Sequence, residues 1–152
     1  MTEYVLGLDP GLSGAIAWID RDGGHRFYNA IDMPVMDGRV NAAELSWHIE
    51  DLRPAYAVVE QVGSMPGQGV ASTFKFGMSY GIALGVLGAM EIPIVHVRPA
   101  RWKKFFSIGS DKEKGRALAI DTWPEASTFF SRKKDHGRAE AALLALWGIK
   151  NK

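Results

Sequence analysis

No cysteine occurs among the 152 residues. That absence removes disulfide scaffolds, cysteine nucleophiles and thiolate zinc sites, and it accords with a reducing cytoplasm. Nor is there a long apolar run. The longest, Gly77 to Met90, contains Ser79 and Tyr80 and stops at Glu91 and Pro93, short of the roughly 20 residues that a membrane span requires. The first residues, Met1 to Leu6, hold an acidic side chain and no basic cluster, unlike a secretory signal. Internal repeats, low-complexity tracts and linkers are also missing. The expectation is a soluble, cytoplasmic protein with no membrane partner, forming one domain over residues 1–152.

What is present is close to average for a globular chain, with 47% apolar and 23% charged residues, so disorder and coiled coil are excluded. A chain of this length buries about 70% of its unfolded surface on folding, enough for a core of its own. The net charge of +1 hides an asymmetry. Residues 1–63 carry 4 basic and 10 acidic side chains, whereas residues 64–152 carry 14 and 7. One acidic and one basic half in one domain suit metal ions at one place and a polyanion at another.

Tyr4 to Leu8 is short, apolar and β-prone and stops at the turn triplet Asp9-Pro10-Gly11. Ala15 to Ile19 and Arg26 to Ile31 continue as strands around Asp22-Gly23-Gly24, predicting an antiparallel meander. Asn41 followed by Glu44 resembles a capping box, and Leu45, His48, Ile49 and Leu52 recur at helical spacing, predicting a helix over about 42–52. Ala55 to Val59 is a strand ending at Glu60. Beyond the loop Gly63 to Gly69, a helix is predicted from Ala71 to Met90, with Gly77, Gly81 and Gly85 along one ridge. Each exposed helical glycine costs about 1 kcal/mol against alanine, so this ridge is expected to pack closely, on the protein's own sheet or on another subunit. Pro93 to Val97 is a strand and Pro99 to Phe106 a basic helix. Ser110 with Glu113 caps a helix to about Trp123, and a last helix begins near Gly137. The order defines an α/β domain around one mixed sheet.

Two carboxylates stand out because apolar strands end on them, Asp9 and Glu60. A third, Glu140, lies among Ala139, Ala141, Ala142 and Leu143 on an otherwise apolar helix, where a lone carboxylate is costly to bury without a cation. Three such groups at one sheet rim repel one another. Divalent ions relieve the repulsion, and all-oxygen ligation suits Mg²⁺ or Mn²⁺. Two ions about 3.5–4 Å apart can drive phosphodiester hydrolysis.

Gly7-Leu8-Asp9-Pro10-Gly11 with Ser13-Gly14, Val58-Val59-Glu60-Gln61-Val62, and Asp135-His136-Gly137-Arg138-Ala139-Glu140-Ala141 together resemble the RuvC family of Holliday-junction resolvases, in a form seen in phage-like relatives. The resemblance extends over nearly the whole chain. It implies an RNase H-like fold: a mixed five-stranded sheet, an antiparallel three-strand meander plus two parallel strands, flanked by helices. It also implies a homodimer that cleaves four-way DNA junctions by paired symmetric nicks, leaving 5′-phosphates. Asp9, Glu60 and Glu140 match the family's metal-binding positions. The further acidic position, often three residues before the last, is Gly137 here, so the role falls to Asp135 or His136. If Gly137 marks the start of the helix, ligand chemistry favours Asp135, with His136 a ligand or general base. A continuous helix favours His136 instead, because positions four apart share a face.

Arg98, Arg101, Lys103 and Lys104, interleaved with Trp102, Phe105 and Phe106, are expected to contact DNA phosphates while the aromatics pack. Arg132, Lys133 and Lys134 precede the last acidic segment; Lys75 and Lys112 are further DNA-binding candidates. Met65, in the loop beyond Glu60, is a candidate apolar wedge. Three other functions fit parts of the same pattern. They are a ribonuclease H-like nuclease on RNA–DNA hybrids, a junction-binding protein without activity, and an actin-like ATP-binding protein using Asp9 to Gly14 as a phosphate loop.

Overall fold

The computed structural model describes residues 2–152. Strands β1 (Tyr4–Asp9), β2 (Ala15–Asp20) and β3 (Phe27–Asp32) form the expected meander. A small hairpin, β4 (Val35–Met36) and β5 (Arg39–Val40), follows. Then come α1 (Ala42–Asp51), β6 (Tyr56–Glu60), α2 (Val70–Ala89), β7 (Ile94–Val97), α3 (Pro99–Phe105), α4 (Lys112–Thr122), two short 3₁₀ segments and α5 (His136–Asn151). The main sheet has the order β3-β2-β1-β6-β7; β1, β6 and β7 run parallel, while β2 and β3 run antiparallel to their neighbours.

Both faces of the sheet are covered, which is why its central strands read as apolar without alternation. One face packs Val5, Ala17, Ile19 and Val58 against α5 and its neighbours. The other packs Leu6, Leu8, Ile16 and Val59 against α1 and α2. Helix α5 approaches β1 so closely that a Cβ at Gly7 would lie 1.7 Å from the carbonyl oxygen of Ala141.

Three boundaries differ from the sequence reading. Helix α4 is capped by Asp111, whose side chain accepts from the Glu113 N–H at 2.9 Å, and not by Ser110. Helix α5 starts at His136, before Gly137. Gly137 sits inside the first turn because a Cβ there would stand 2.7 Å from the carbonyl oxygen of Ser13; it permits close approach to the turn after β1 and does not mark the start of the helix. Helix α2 has the length read but starts and ends one residue earlier, at Val70 and Ala89. Its 20 residues include an 18-residue window with a mean hydropathy of 1.3 and make it long and apolar enough to cross a membrane by length and composition alone. Ser79, Ala83, Val86 and Leu87 are its buried positions. Gly77, Gly81 and Gly85 have nothing within 4 Å of an added Cβ, so the ridge does not pack on the protein's own sheet.

Candidate metal and DNA site

Asp9 ends β1 and Glu60 ends the neighbouring parallel β6, one step beyond the paired residues Leu8 and Val59. Parallel register therefore delivers both carboxylates to one end of the sheet. They line a cleft of about 470 Å³ together with Met65, Gln68, Lys112 and His136. Glu140, in the second turn of α5, is 4% exposed, and its charge reaches both of the others. The Asp9 carboxyl is held well above the usual carboxylate range by burial first, then by Glu140 and Glu60. Burial also pushes Glu60 up, against a lowering hydrogen bond from Trp102.

Each carboxylate has a distinct support. The Trp102 indole N–H donates to Glu60 Oε2 at 2.7 Å, and Trp102 is fully buried. Lys112 Nζ donates to Glu140 Oε2 at 2.9 Å, and Lys103 Nζ stands 3.5 Å from Glu140 Oε1. Burial lowers the affinity of Lys112 for its proton, but Glu140, Asp9 and Glu60 more than reverse this and its pKa is raised. His136 Nδ1 lies 3.5 Å from Glu140 Oε2 and is buried without a hydrogen-bond partner among the described residues.

Asp135 does not join this group. Its side chain is 1% exposed and fixed by Arg132, which donates from its backbone N–H at 2.9 Å and from Nη2 at 2.8 Å; Arg138 Nη1 stands 3.8 Å away. Burial alone would raise its pKa, but these partners outweigh burial and lower it. The reason sequence reasoning favoured Asp135 was a helix start placed one residue late. With His136 inside α5, the face shared with Glu140 belongs to the histidine. The guanidinium of Arg132, half exposed, is engaged in the same ion pair. Phe105 is also corrected: it is 47% exposed, while Trp102 is the buried member of that helix.

Arg98, Arg101, Lys104, Lys75, Lys133 and Lys134 are exposed, and among the described residues none of them makes an ion pair within the chain. Arg101 lies over the Trp147 ring at 5.4 Å. Met65 is 69% exposed on the cleft rim, and Phe74, at the start of α2, is 68% exposed. The sequence marks Trp102 as a packing residue; its role toward Glu60 lies 42 residues away, beyond any local spacing.

A divalent ion fits this donor set: three mutually repelling carboxylates and one orphaned imidazole nitrogen. The fit requires movement, since among the described residues no three Asp, Glu or His side chains stand close enough together to hold an ion, and lysine ammonium groups occupy both oxygens of Glu140.

The sheet order and the two covered faces are those of an RNase H-like fold. The chain superposes on the Thermus thermophilus RuvC structure with a TM-score of 0.70, at 16% identity, over 97% of this chain and 95% of that one. For T. thermophilus RuvC in complex with Holliday junction substrate the TM-score is 0.66, at 16% identity, over 95% and 91%. For the yeast mitochondrial Holliday junction resolvase Ydc2 it is 0.64, at 15% identity, over 97% and 79%. In sequence, the chain is 31% identical over 96 residues to the chloroplastic Holliday junction resolvase MOC1 of Chlamydomonas reinhardtii. That match covers 62% of this chain and 11% of the length of MOC1. No family model matches the chain.

Proposed function

We propose that this chain is a divalent-metal-dependent endonuclease that resolves four-way DNA junctions by paired symmetric nicks. The observation that carries the reading is that β1 and β6 bring Asp9 and Glu60 to one cleft with Lys112 and His136, while Glu140 of α5 acts on the charge of both and pairs with Lys112 and Lys103. The likeness to resolvases in both fold and sequence supports it.

In this reading Asp9, Glu60, Glu140 and His136 hold two Mg²⁺ or Mn²⁺ ions, which supply Lewis-acid activation of water and charge neutralisation at the phosphate under attack. Trp102 fixes the rotamer of Glu60 through its N–H. Lys103 and Lys112 bring positive charge to the position a scissile phosphate takes, and Arg98, Arg101, Lys104, Lys133, Lys134 and Lys75 hold the arms by their backbones. Met65 or Phe74 supplies the apolar wedge at the crossover. A second copy docks on the open glycine ridge of α2, since a junction offers two equivalent strands to two symmetric sites. Such work takes place where DNA is exposed to the cytoplasm, in a bacterial or phage-infected cell.

The test is incubation with labelled four-way junctions, linear duplexes and RNA–DNA hybrids, with and without Mg²⁺ or Mn²⁺. Metal-dependent cleavage confined to junctions is expected, and Asp9→Asn, Glu60→Gln and Glu140→Gln each abolish it while junction binding persists. Preferential cleavage of hybrids would assign the site to ribonuclease H-like chemistry. Junction binding without cleavage in any metal would leave a binding protein.

A further inference from the structure

The carboxylate of Glu140 is saturated by cations of the chain itself. Lys112 Nζ is at 2.9 Å from Oε2 and Lys103 Nζ at 3.5 Å from Oε1, while the orphaned His136 Nδ1 faces the Lys112-bound oxygen at 3.5 Å. The two lysines are not equivalent. Lys103 has 18% of its side chain exposed and lies over the Trp102 ring at 5.6 Å, so it is anchored. Lys112 has 53% of its side chain exposed, occupies the first position of α4 and lines the cleft in which a phosphate would lie.

We infer that Lys112 is an exchangeable counter-ion for the carboxylate cluster: it holds the place of a divalent cation on Glu140 and gives it up when a DNA phosphate draws its ammonium away. This rests on the proposed nuclease reading and names the coupling built into that site. A lysine ammonium and a divalent cation cannot share Glu140 Oε2 without strong like-charge repulsion, which is large in a partly desolvated cluster. A phosphate in the cleft offers the same ammonium a new partner at the end of a flexible stem. Removing Lys112 from Glu140 frees Oε2, which stands 3.5 Å from His136 Nδ1, so the two atoms become a ligand pair. Lys112 thereby ties loading of the site to the presence of DNA. By linkage, each of the two binding events strengthens the other by the same factor.

The experiment is Mn²⁺ titration of the full chain, read from the electron paramagnetic resonance signal of free Mn²⁺, with and without a four-way junction. It is done on ice, with junction integrity checked on a denaturing gel and Mn²⁺ uptake by DNA alone subtracted. Wild-type protein is expected to bind Mn²⁺ about tenfold more tightly with the junction present, inside the usual range of couplings between sites. Lys112→Met is expected to bind Mn²⁺ about tenfold more tightly than wild type without DNA and to gain little when DNA is added, by the same linkage. Lys112→Arg keeps the coupling. A second measurement protects against a folding defect: Mn²⁺ should raise the melting temperature of Lys112→Met by more than it raises that of wild type. Equal Mn²⁺ affinity and equal junction gain in wild type and Lys112→Met would overturn the inference while leaving the nuclease reading intact. Absence of Mn²⁺ binding to wild type in both conditions would overturn both.

Discussion

Trp102 Nε1 donates a 2.7 Å hydrogen bond to Glu60 Oε2 across 42 residues of chain, and the ring that carries it is completely buried. A hydrogen bond to an ionised group is shorter and roughly twice as strong as one between neutral groups. Here it is the main influence that opposes burial in setting the ionisation of Glu60. Trp102→Phe keeps most of the packing and removes the donor. The pKa of Glu60 should rise further, so the acid limb of the pH–cleavage profile should move to higher pH. Stability should fall by about 1.5–3 kcal/mol, the range for hydrogen bonds to charged groups. An unmoved acid limb would show that Glu60 takes its orientation from elsewhere.

Asp9 is shifted in the same direction as Glu60, and the consequence is a stability that declines with pH. Its folded pKa is raised above the ordinary 3.8 by burial, then by Glu140 and Glu60. Between the unfolded and folded values the native state binds more protons than the unfolded one, so metal-free stability falls as pH rises through that window. Asp9→Asn removes the charge with little change in shape. The metal-free variant should melt higher than wild type at neutral pH, by ~2–4 °C for each kcal/mol of repulsion relieved, and the gap should close toward pH 4. A variant that melts lower than wild type at neutral pH would mean that Lys103 and Lys112 already neutralise the cluster.

How far the sequence carried this site depended on whether a residue's partner was local. Asp9 and Glu60 were legible because an apolar run ending in a carboxylate is a strand delivering that carboxylate to a rim, and parallel pairing of β1 and β6 then makes the two neighbours. The five-stranded mixed sheet follows from the same apolar runs and turns. Other features were hidden by contacts distant in sequence. Gly137 looked like a helix boundary, because nothing nearby announces that Ser13 O comes within 2.7 Å of its missing Cβ. The β4–β5 hairpin was missed although Asp37-Gly38 is a strong turn signal with φ of 55° and 73°; two-residue strands give no alternation to read. The partners of Trp102 and Lys112 lie 42 and 28 residues away, beyond any helical or strand period.

Asp135 and His136 separate by function in one pair of variants. Asp135 is buried against Arg132 and Arg138 with both oxygens engaged, so Asp135→Asn should cost about 1–3 kcal/mol of stability, less than the loss of a fully buried pair because Arg132 is half exposed. The folded molecules that remain should bind Mn²⁺ normally. His136→Ala removes the orphaned nitrogen facing Glu140 and should weaken Mn²⁺ binding by at least about tenfold, with little loss of fold. Calorimetric Mn²⁺ titration alongside thermal melts reads both effects. The crossed result, with Mn²⁺ affinity lost in Asp135→Asn and kept in His136→Ala, would return the ligand role to the aspartate.

The open glycine ridge yields the last prediction. Gly77, Gly81 and Gly85 recur at four-residue spacing on α2, and an added Cβ at any of them meets nothing within 4 Å. The chain therefore keeps three residues, each about 1 kcal/mol worse for a helix than alanine, where its own fold has no use for their smallness. A flat strip beside Ile82 and Leu84, both partly buried, lets a second α2 approach to close contact, as small residues do wherever helices cross tightly. Gly81→Glu places a charge and a side chain in that strip without a clash inside the chain. The isolated subunit should keep or slightly gain stability from the better helix former. Sedimentation should show wild type as a dimer and Gly81→Glu as a monomer that still binds Mn²⁺. On four-way junctions the monomer should nick one strand at a time, so that singly nicked intermediates accumulate where wild type yields paired nicks. A Gly81→Glu protein that remains dimeric and nicks in pairs would move the interface off this ridge.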